Sequence, residues 1–181
     1  MNITTPITYD KIKNLKAGDT VTLSGIIYTG RDAAHKRMCQ SLENGESLPF
    51  DVEGQVIYYV GPCPAKDGCV IGSCGPTTSG RMDKYSPLLI SKGLCAMIGK
   101  GKRNKAVVDA IVKYGGIYFG AIGGAGALIS KHIKSAQVIA YEDLGTEAIR
   151  RLEVENFPLT VIIDCNGNDL YEIGKNKYRE F

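Results

Sequence analysis

The sequence predicts a mixed α/β domain, and three observations carry that prediction. From Arg81 onward, apolar runs of strand length alternate with segments of helical periodicity, the pattern of helices packed on a sheet. Upstream, an alternating stretch passes through Gly30 into an apolar repeat of four, so a strand feeds directly into a helix. The 181 residues, 44% hydrophobic and 23% charged, match one ordinary globular domain covering 1–181.

Val21, Leu23 and Ile27 alternate with Thr20, Thr22 and Ser24, giving a half-buried strand that stops at Gly30. Arg31 to Glu43 is a helix, with Ala34, Met38 and Leu42 on one stripe and Asn44-Gly45 as its stop. Val56 to Val60, between Gly54 and Gly61, reads as a second strand. Gly61 to Gly80 is a loop rich in Gly, Pro, Ser and Thr. Leu94 to Ile98 is a strand, Arg103 to Lys113 a helix carrying Val107 and Ile111, and Ile117 to Ile122 another strand. Gly123 to Ala127 turns into a helix holding Leu128 and Ile129. Val138 to Tyr141 is read as a strand, Thr146 to Glu153 as a short helix with Ala148, Ile149 and Leu152 inward, and Leu159 to Asp164 as a buried strand. Asn166-Gly167 is a tight-turn signal, predicting a hairpin into Leu170 to Ile173.

A net charge of +3 and the absence of Trp give no electrostatic footprint for nucleic acid or an anionic membrane. Met1 to Asp10 lacks the charged-then-apolar plan of a signal peptide. The uncharged stretch from Tyr114 to Ser130 is too short and too Gly-rich for a membrane helix, so a cytoplasmic protein is expected. Without a secretion signal, Cys39, Cys63, Cys69, Cys74, Cys95 and Cys165 are read as reduced thiols.

Three places set a cation where an apolar strand gives way to a Gly-rich turn and a helix start. They are Thr29-Gly30-Arg31-Asp32, Gly75-Pro76-Thr77-Thr78-Ser79-Gly80-Arg81 and Gly99-Lys100-Gly101-Lys102-Arg103. Free backbone N–H groups favour anions at such ends, and ligands of open α/β sheets collect beyond the carboxyl ends of strands. Arg31 and Arg81 can each clamp a carboxylate with two parallel hydrogen bonds and Lys100 adds a point charge, so a small dicarboxylate fits better than one phosphate. Thr77, Thr78 and Ser79 add hydroxyl and backbone donors, and His35 falls one helical turn after Arg31. Taken singly, each corner is also what a capped helix with a solvated cation looks like.

Nucleotide motifs fail on inspection. Five residues rather than four separate Gly93 from Gly99, and Gly101 stands where a P-loop needs Ser or Thr; Gly99-Lys100-Gly101-Lys102-Arg103-Asn104 ends in Asn where a dinucleotide fingerprint needs Gly. Cys63, Cys69 and Cys74 lack the two-residue spacing of metal knuckles, so no metal site is assigned to this chain.

At these residues the sequence resembles a known family. Gly30-Arg31-Asp32-Ala33-Ala34-His35-Lys36-Arg37, Gly72 to Asp83 with its Gly-Pro-Thr-Thr-Ser-Gly-Arg-Met-Asp run, Ile98-Gly99-Lys100-Gly101, Asp143-Leu144-Gly145-Thr146-Glu147-Ala148 and Phe157 to Val161 are similar to the β subunit of class I, iron–sulfur-dependent fumarate hydratase and L(+)-tartrate dehydratase. The resemblance covers roughly Val21 to Tyr171. It implies a three-layer β/β/α swivelling domain with mixed sheets, and a hydro-lyase that hydrates fumarate to L-malate or, next, dehydrates L-tartrate to oxaloacetate. It implies a [4Fe-4S] cluster held by a partner α subunit, within an α2β2 hetero-oligomer active only as a complex. It further implies that Arg31, Arg81 and Lys100 bind the substrate carboxylates, and that Thr77 is the candidate base. The other class the Gly-rich turns allow is a stand-alone module binding a nucleotide or phosphorylated metabolite.

Overall fold

A computed structural model describes Met1–Arg179; the last two positions of the expected 1–181 domain lie outside the described residues. The strands are β1 (Asn2–Thr4), β2 (Thr20–Thr29), β3 (Val56–Tyr58), β4 (Ala96–Gly99), β5 (Ile117–Gly120), β6 (Ile133–Ala140) and β7 (Ile149–Ile163). The helices are α1 (Tyr9–Ile12), α2 (Asp32–Glu43), α3 (Ser86–Ser91), α4 (Lys105–Tyr114), α5 (Gly126–Ile129) and α6 (Leu170–Tyr178).

The seven strands form a mixed sheet in the order β1-β2-β3-β4-β5-β7-β6, with β1 to β5 parallel to their neighbours and β7 antiparallel to each of its own. Strand β7 is long enough to do two jobs. Its last residues pair with β5, Tyr118 opposite Ile163, while its earlier ones run back along β2, from Thr20 opposite Thr160 to Tyr28 opposite Arg151. Strands β2, β3, β4, β5 and β7 thereby close on one another.

Side chains of the central strands alternate between two apolar clusters, as the period of two requires. Val56, Tyr58, Ala96, Ile98, Ile117 and Phe119 point into the ring, where they meet Leu23, Ile27, Leu152 and Phe157. Ile57, Tyr59, Met97 and Tyr118 point outward to Ala34 and Met38 of α2, Leu89 and Ile90 of α3, and Val107 and Ile111 of α4. One mixed sheet with helices packed on its outer face results, the mixed α/β class expected. Helix α4 ends cleanly for local reasons: Asn104 Oδ1 accepts the Val107 N–H at 3.0 Å, and Gly115 closes the helix in the left-handed region at φ 72°.

Two expected elements differ. Thr146 to Glu153 is not a helix: a 3-10 segment covers Glu142–Glu147, and Ile149 opens β7. Ile149 is buried in the helix-side cluster while Leu152 and Val154 face the ring, so positions three apart that are buried on opposite faces of the strand imitate a helical stripe. Leu170 to Ile173 is not a hairpin strand. The turn at Asn166-Gly167 does reverse the chain, bridging Ile163 to Asp169, but Asp169 Oδ1 then accepts the Tyr171 N–H at 2.8 Å and caps α6. Strand β6 also starts at Ile133, five residues before the expected Val138. The 3-10 turn at Ser79–Met82, and β1, α1 and α3, are further elements.

Candidate functional site

The corners predicted from sequence lie at the carboxyl ends of β2, β3 and β4, which are adjacent and parallel. Neighbouring strands are about 4.8 Å apart, so residues just beyond three such ends share one rim. Gly30 donates to the Tyr58 carbonyl at 3.1 Å, bringing the Arg31 corner against the end of β3. Thr77 donates its N–H to the Tyr59 carbonyl at 2.7 Å, returning the Gly-rich loop to the same place. Thr78 then bridges to Lys100, and Ser79 N–H donates to the Lys100 carbonyl at 2.9 Å. Thr77 thus stands between the Arg31 and Lys100 corners.

Two glycines make this approach possible. A Cβ at Gly99 would sit 2.0 Å from Ser79 Oγ, and one at Gly61 would sit 2.9 Å from the Arg31 Nη1 atom. Any side chain at 99 would push the Thr77–Ser79 segment off β4, and one at 61 would displace the guanidinium.

Each arginine has a carboxylate of its own chain. Arg31 Nη2 is 3.2 Å from Glu147 Oε1, and Arg81 Nη2 is 2.8 Å from Asp32 Oδ2. Burial is the largest single influence on the Asp32 carboxyl and works to raise it, but the hydrogen bond from Arg81, a backbone hydrogen bond and the charges of Arg81 and Arg31 together outweigh it and hold the group below its ordinary value. Lys100 and Thr78 are exposed, and Thr77 is half-buried.

The structure puts two sequence-predicted site residues inside the protein. Ser79 is fully buried, its Oγ 2.8 Å from the Tyr118 hydroxyl. His35 is fully buried too, with Nδ1 2.8 Å from the Arg31 carbonyl, so Nδ1 carries the proton and donates. Burial depresses the His35 pKa to about 4 and keeps the ring neutral. Neither side chain opens onto the rim in this structure.

Among the described residues, the buried side-chain polar atoms without a partner are Arg31 Nε, Asp32 Oδ1 and His35 Nε2. All three fall on one five-residue stretch at the start of α2. Buried polar groups are nearly always hydrogen-bonded, so their concentration here marks the place where the fold leaves bonding capacity unused.

Sequence reasoning missed the acids and one cation. Arg103, read as part of the third cationic corner, is buried: its Nε donates to Asp83 Oδ1 at 2.6 Å and its Nη2 to Ser86 Oγ at 2.8 Å. Asp83 Oδ2 also accepts the Asn104 N–H at 2.6 Å. The pair ties the end of the Gly-rich block to the start of α4. The only signal was that three of the recognisable blocks carry acids, Asp32 in the first, Asp83 in the second, and Asp143 with Glu147 in the fourth.

The cysteines do not fit an iron–sulfur cluster, which needs several thiolates facing one point. Cys63 and Cys69 are exposed, whereas Cys74 is buried with Sγ 3.7 Å from the Gly126 carbonyl, and burial pushes its thiol up to about 12. No group of three or more His, Cys, Asp or Glu suited to a metal ion occurs among the described residues. No helix among them is long and apolar enough to cross a membrane.

Comparison with known proteins gives the family. The family described as Fumarase C-terminus matches residues 1–174. Over 154 residues, 84% of this chain, the sequence is 43% identical to "Fumarate hydratase class I, aerobic" of Escherichia coli (strain K12). It is 45% identical over 154 residues to "Fumarate hydratase 1, mitochondrial" of Leishmania major. In both cases the match spans only 28% of the relative's length. A protein of Methanocaldococcus jannaschii named "Putative L(+)-tartrate dehydratase subunit beta" is 39% identical over 181 residues, covering 96% of this chain and 93% of that protein.

Proposed function

The chain belongs to the fumarase C-terminus family, and from that premise we propose that it is the β subunit of an iron–sulfur-dependent hydro-lyase acting on a four-carbon dicarboxylate. Reversible hydration of fumarate to L-malate is the first assignment, and dehydration of L-tartrate to oxaloacetate the next. The supporting observation is the shared rim: Arg31, Thr77 and Lys100 succeed one another across β2, β3 and β4, with Arg81 tied in through Asp32. Three cations on one rim suit a dianion too small to reach separate faces.

In this reading Arg31, Arg81 and Lys100 hold the two carboxylates and fix the four-carbon chain, with Thr78 N–H or hydroxyl as a further donor. Thr77 stands between the cationic corners, where it faces the carbon that gains or loses a proton and acts as candidate base. Ser79 and His35 shape this rim from beneath. Class I fumarate hydratases are iron–sulfur enzymes, and since the cysteines here do not fit a cluster, we assign the [4Fe-4S] group to an α partner, in an α2β2 complex, with cytoplasmic location.

Co-expression with such a partner, assembly of the cluster without oxygen, and assay of malate, fumarate and tartrate side by side test the reading. Turnover of one of these acids by the complex, and none by either chain alone, is the expected result. Arg81→Ala is then expected to lower kcat/KM by roughly tens to several hundredfold with the complex intact, the loss of a bidentate clamp. Unchanged turnover in that variant removes Arg81 from the site.

A further inference from the structure

We propose that Glu147 is the positioning residue of this site, holding the Arg31 guanidinium in the orientation that a substrate carboxylate meets. The inference rests on the reading of Arg31 as a carboxylate-binding group, and it gives a role to the Asp143 to Ala148 block, which supplies none of the carboxylate-binding cations.

Glu147 uses both carboxylate oxygens. Oε1 takes the Arg31 Nη2 at 3.2 Å, and Oε2 accepts the Ala33 N–H at 3.2 Å, in the first turn of α2. One carboxylate therefore spans the guanidinium and the helix start that carries it. Both side chains are 21% exposed, so the pair is largely shielded from water. The backbone on either side of Glu147 is fixed as well. The Thr29 hydroxyl, 1% exposed at the end of β2, donates to the Ala148 carbonyl at 3.2 Å and accepts the Arg150 N–H at 2.9 Å. Arg150 in turn donates to the Thr146 and Gly145 carbonyls at 3.2 and 3.0 Å. The strand that leads into Arg31 thus locks in place the segment that returns Glu147 to it.

The guanidinium is held yet not saturated: Nε is buried and has no partner among the described residues. An arginine with one N–H anchored and another idle is preorganised for a second carboxylate. The opposing view, that Glu147 merely occupies Arg31 until an anion displaces it, makes a prediction of opposite sign. Removing a negative charge beside a dianion site strengthens dianion binding by simple Coulomb attraction, whereas removing a positioning group weakens it.

Glu147→Gln separates the two, because the amide oxygen still accepts the Ala33 N–H while the charge is lost. In the assembled enzyme the variant is expected to raise KM for the dicarboxylate about tenfold with kcat within about twofold, since an arginine gripping substrate and transition state alike shows in KM. Asp143→Asn, which loses the same charge on the same segment but pairs with Arg37, is the control and is expected to leave KM unchanged. The second readout needs no turnover. In the full chain alone, the Arg31 Nε–H resonance, assigned by its loss in Arg31→Lys, is expected to shift and exchange faster with water in Glu147→Gln. A lowered or unchanged KM, an equal rise in Asp143→Asn, or an unaltered Arg31 resonance overturns the proposal. A wild-type complex inactive on all three acids sinks the functional reading, while the resonance still decides the role of Glu147.

Discussion

His35 shows how much a single side chain at this rim carries. Its ring is neutral, buried, and bonded through Nδ1–H to the carbonyl of Arg31. Burial lowers its pKa from 6.5 to about 4, so between those values the unfolded chain binds a proton that the folded chain refuses. Stability from this group is complete above about pH 6.5 and is lost as pH falls toward 4, by about 3 kcal/mol at 1.36 kcal/mol per unit. His35→Asn keeps an N–H donor for the Arg31 carbonyl but cannot titrate. Urea unfolding at pH 7 and pH 4.5 is expected to show a smaller acid loss in the variant than in the parent, and equal losses would count against the assignment. At this scale the sequence marked Arg31, Arg81, Lys100 and Thr77 as candidates, because a cation or hydroxyl in a Gly-rich turn before a helix is a local pattern, and the fold sets Arg31, Thr77 and Lys100 at adjacent strand ends. Glu147 and Asp83 were not legible as partners, since each meets its cation only through tertiary contacts between distant segments. Whether His35 and Ser79 would point outward or inward was equally hidden, one helical turn or one turn residue being compatible with either.

Among the elements, helices α2 and α4 and strands β2 to β5 could be read from periodicity and from their Gly and Asn boundaries. Strand β7 misled at its start, where Ile149 is buried on one face and Leu152 on the other, so that hydrophobic residues do not alternate simply with polar ones. Helix α6 misled because a turn signal does not specify whether a strand or a helix comes after the turn. It has no buried residue and touches the third corner through the Tyr171 hydroxyl, which accepts the Gly101 N–H at 3.2 Å, and through Glu172 with Lys102. The firmest join between elements is the Asp83–Arg103 pair, with the Arg103 guanidinium also over the Tyr59 and Tyr118 rings at 5.3 and 5.0 Å from their centroids. Removing one partner leaves a buried charge unmatched, at a cost of about 3–5 kcal/mol. Asp83→Asn is therefore expected to lower the urea midpoint sharply. A drop as small as that of a surface substitution would mean the pair holds nothing together.

For the molecule as a whole, the two apolar clusters share β3, β4 and β5 as their common wall, so neither can lose its order without exposing the other. Unfolding is expected to be one cooperative event. Far-ultraviolet dichroism, which tracks the helices, and the fluorescence of the ten tyrosines, in a chain without Trp, should give coincident denaturation curves. Phe157→Ala, inside the ring, is expected to cost about 3–5 kcal/mol and to move both curves together. Separate transitions would show the layers to be independent. The α/β class was legible in the alternation of elements, but the ring was not, because nothing local reveals that β7 meets both β5 and β2. That closure also sets a schedule for synthesis. Strand β2 leaves the ribosome well before its antiparallel neighbour at Ile149–Ile163, so the nascent chain must carry an open edge until that later strand has been translated. A cell making this protein in bulk would thus depend on chaperones during that interval more than a helical protein of equal size does.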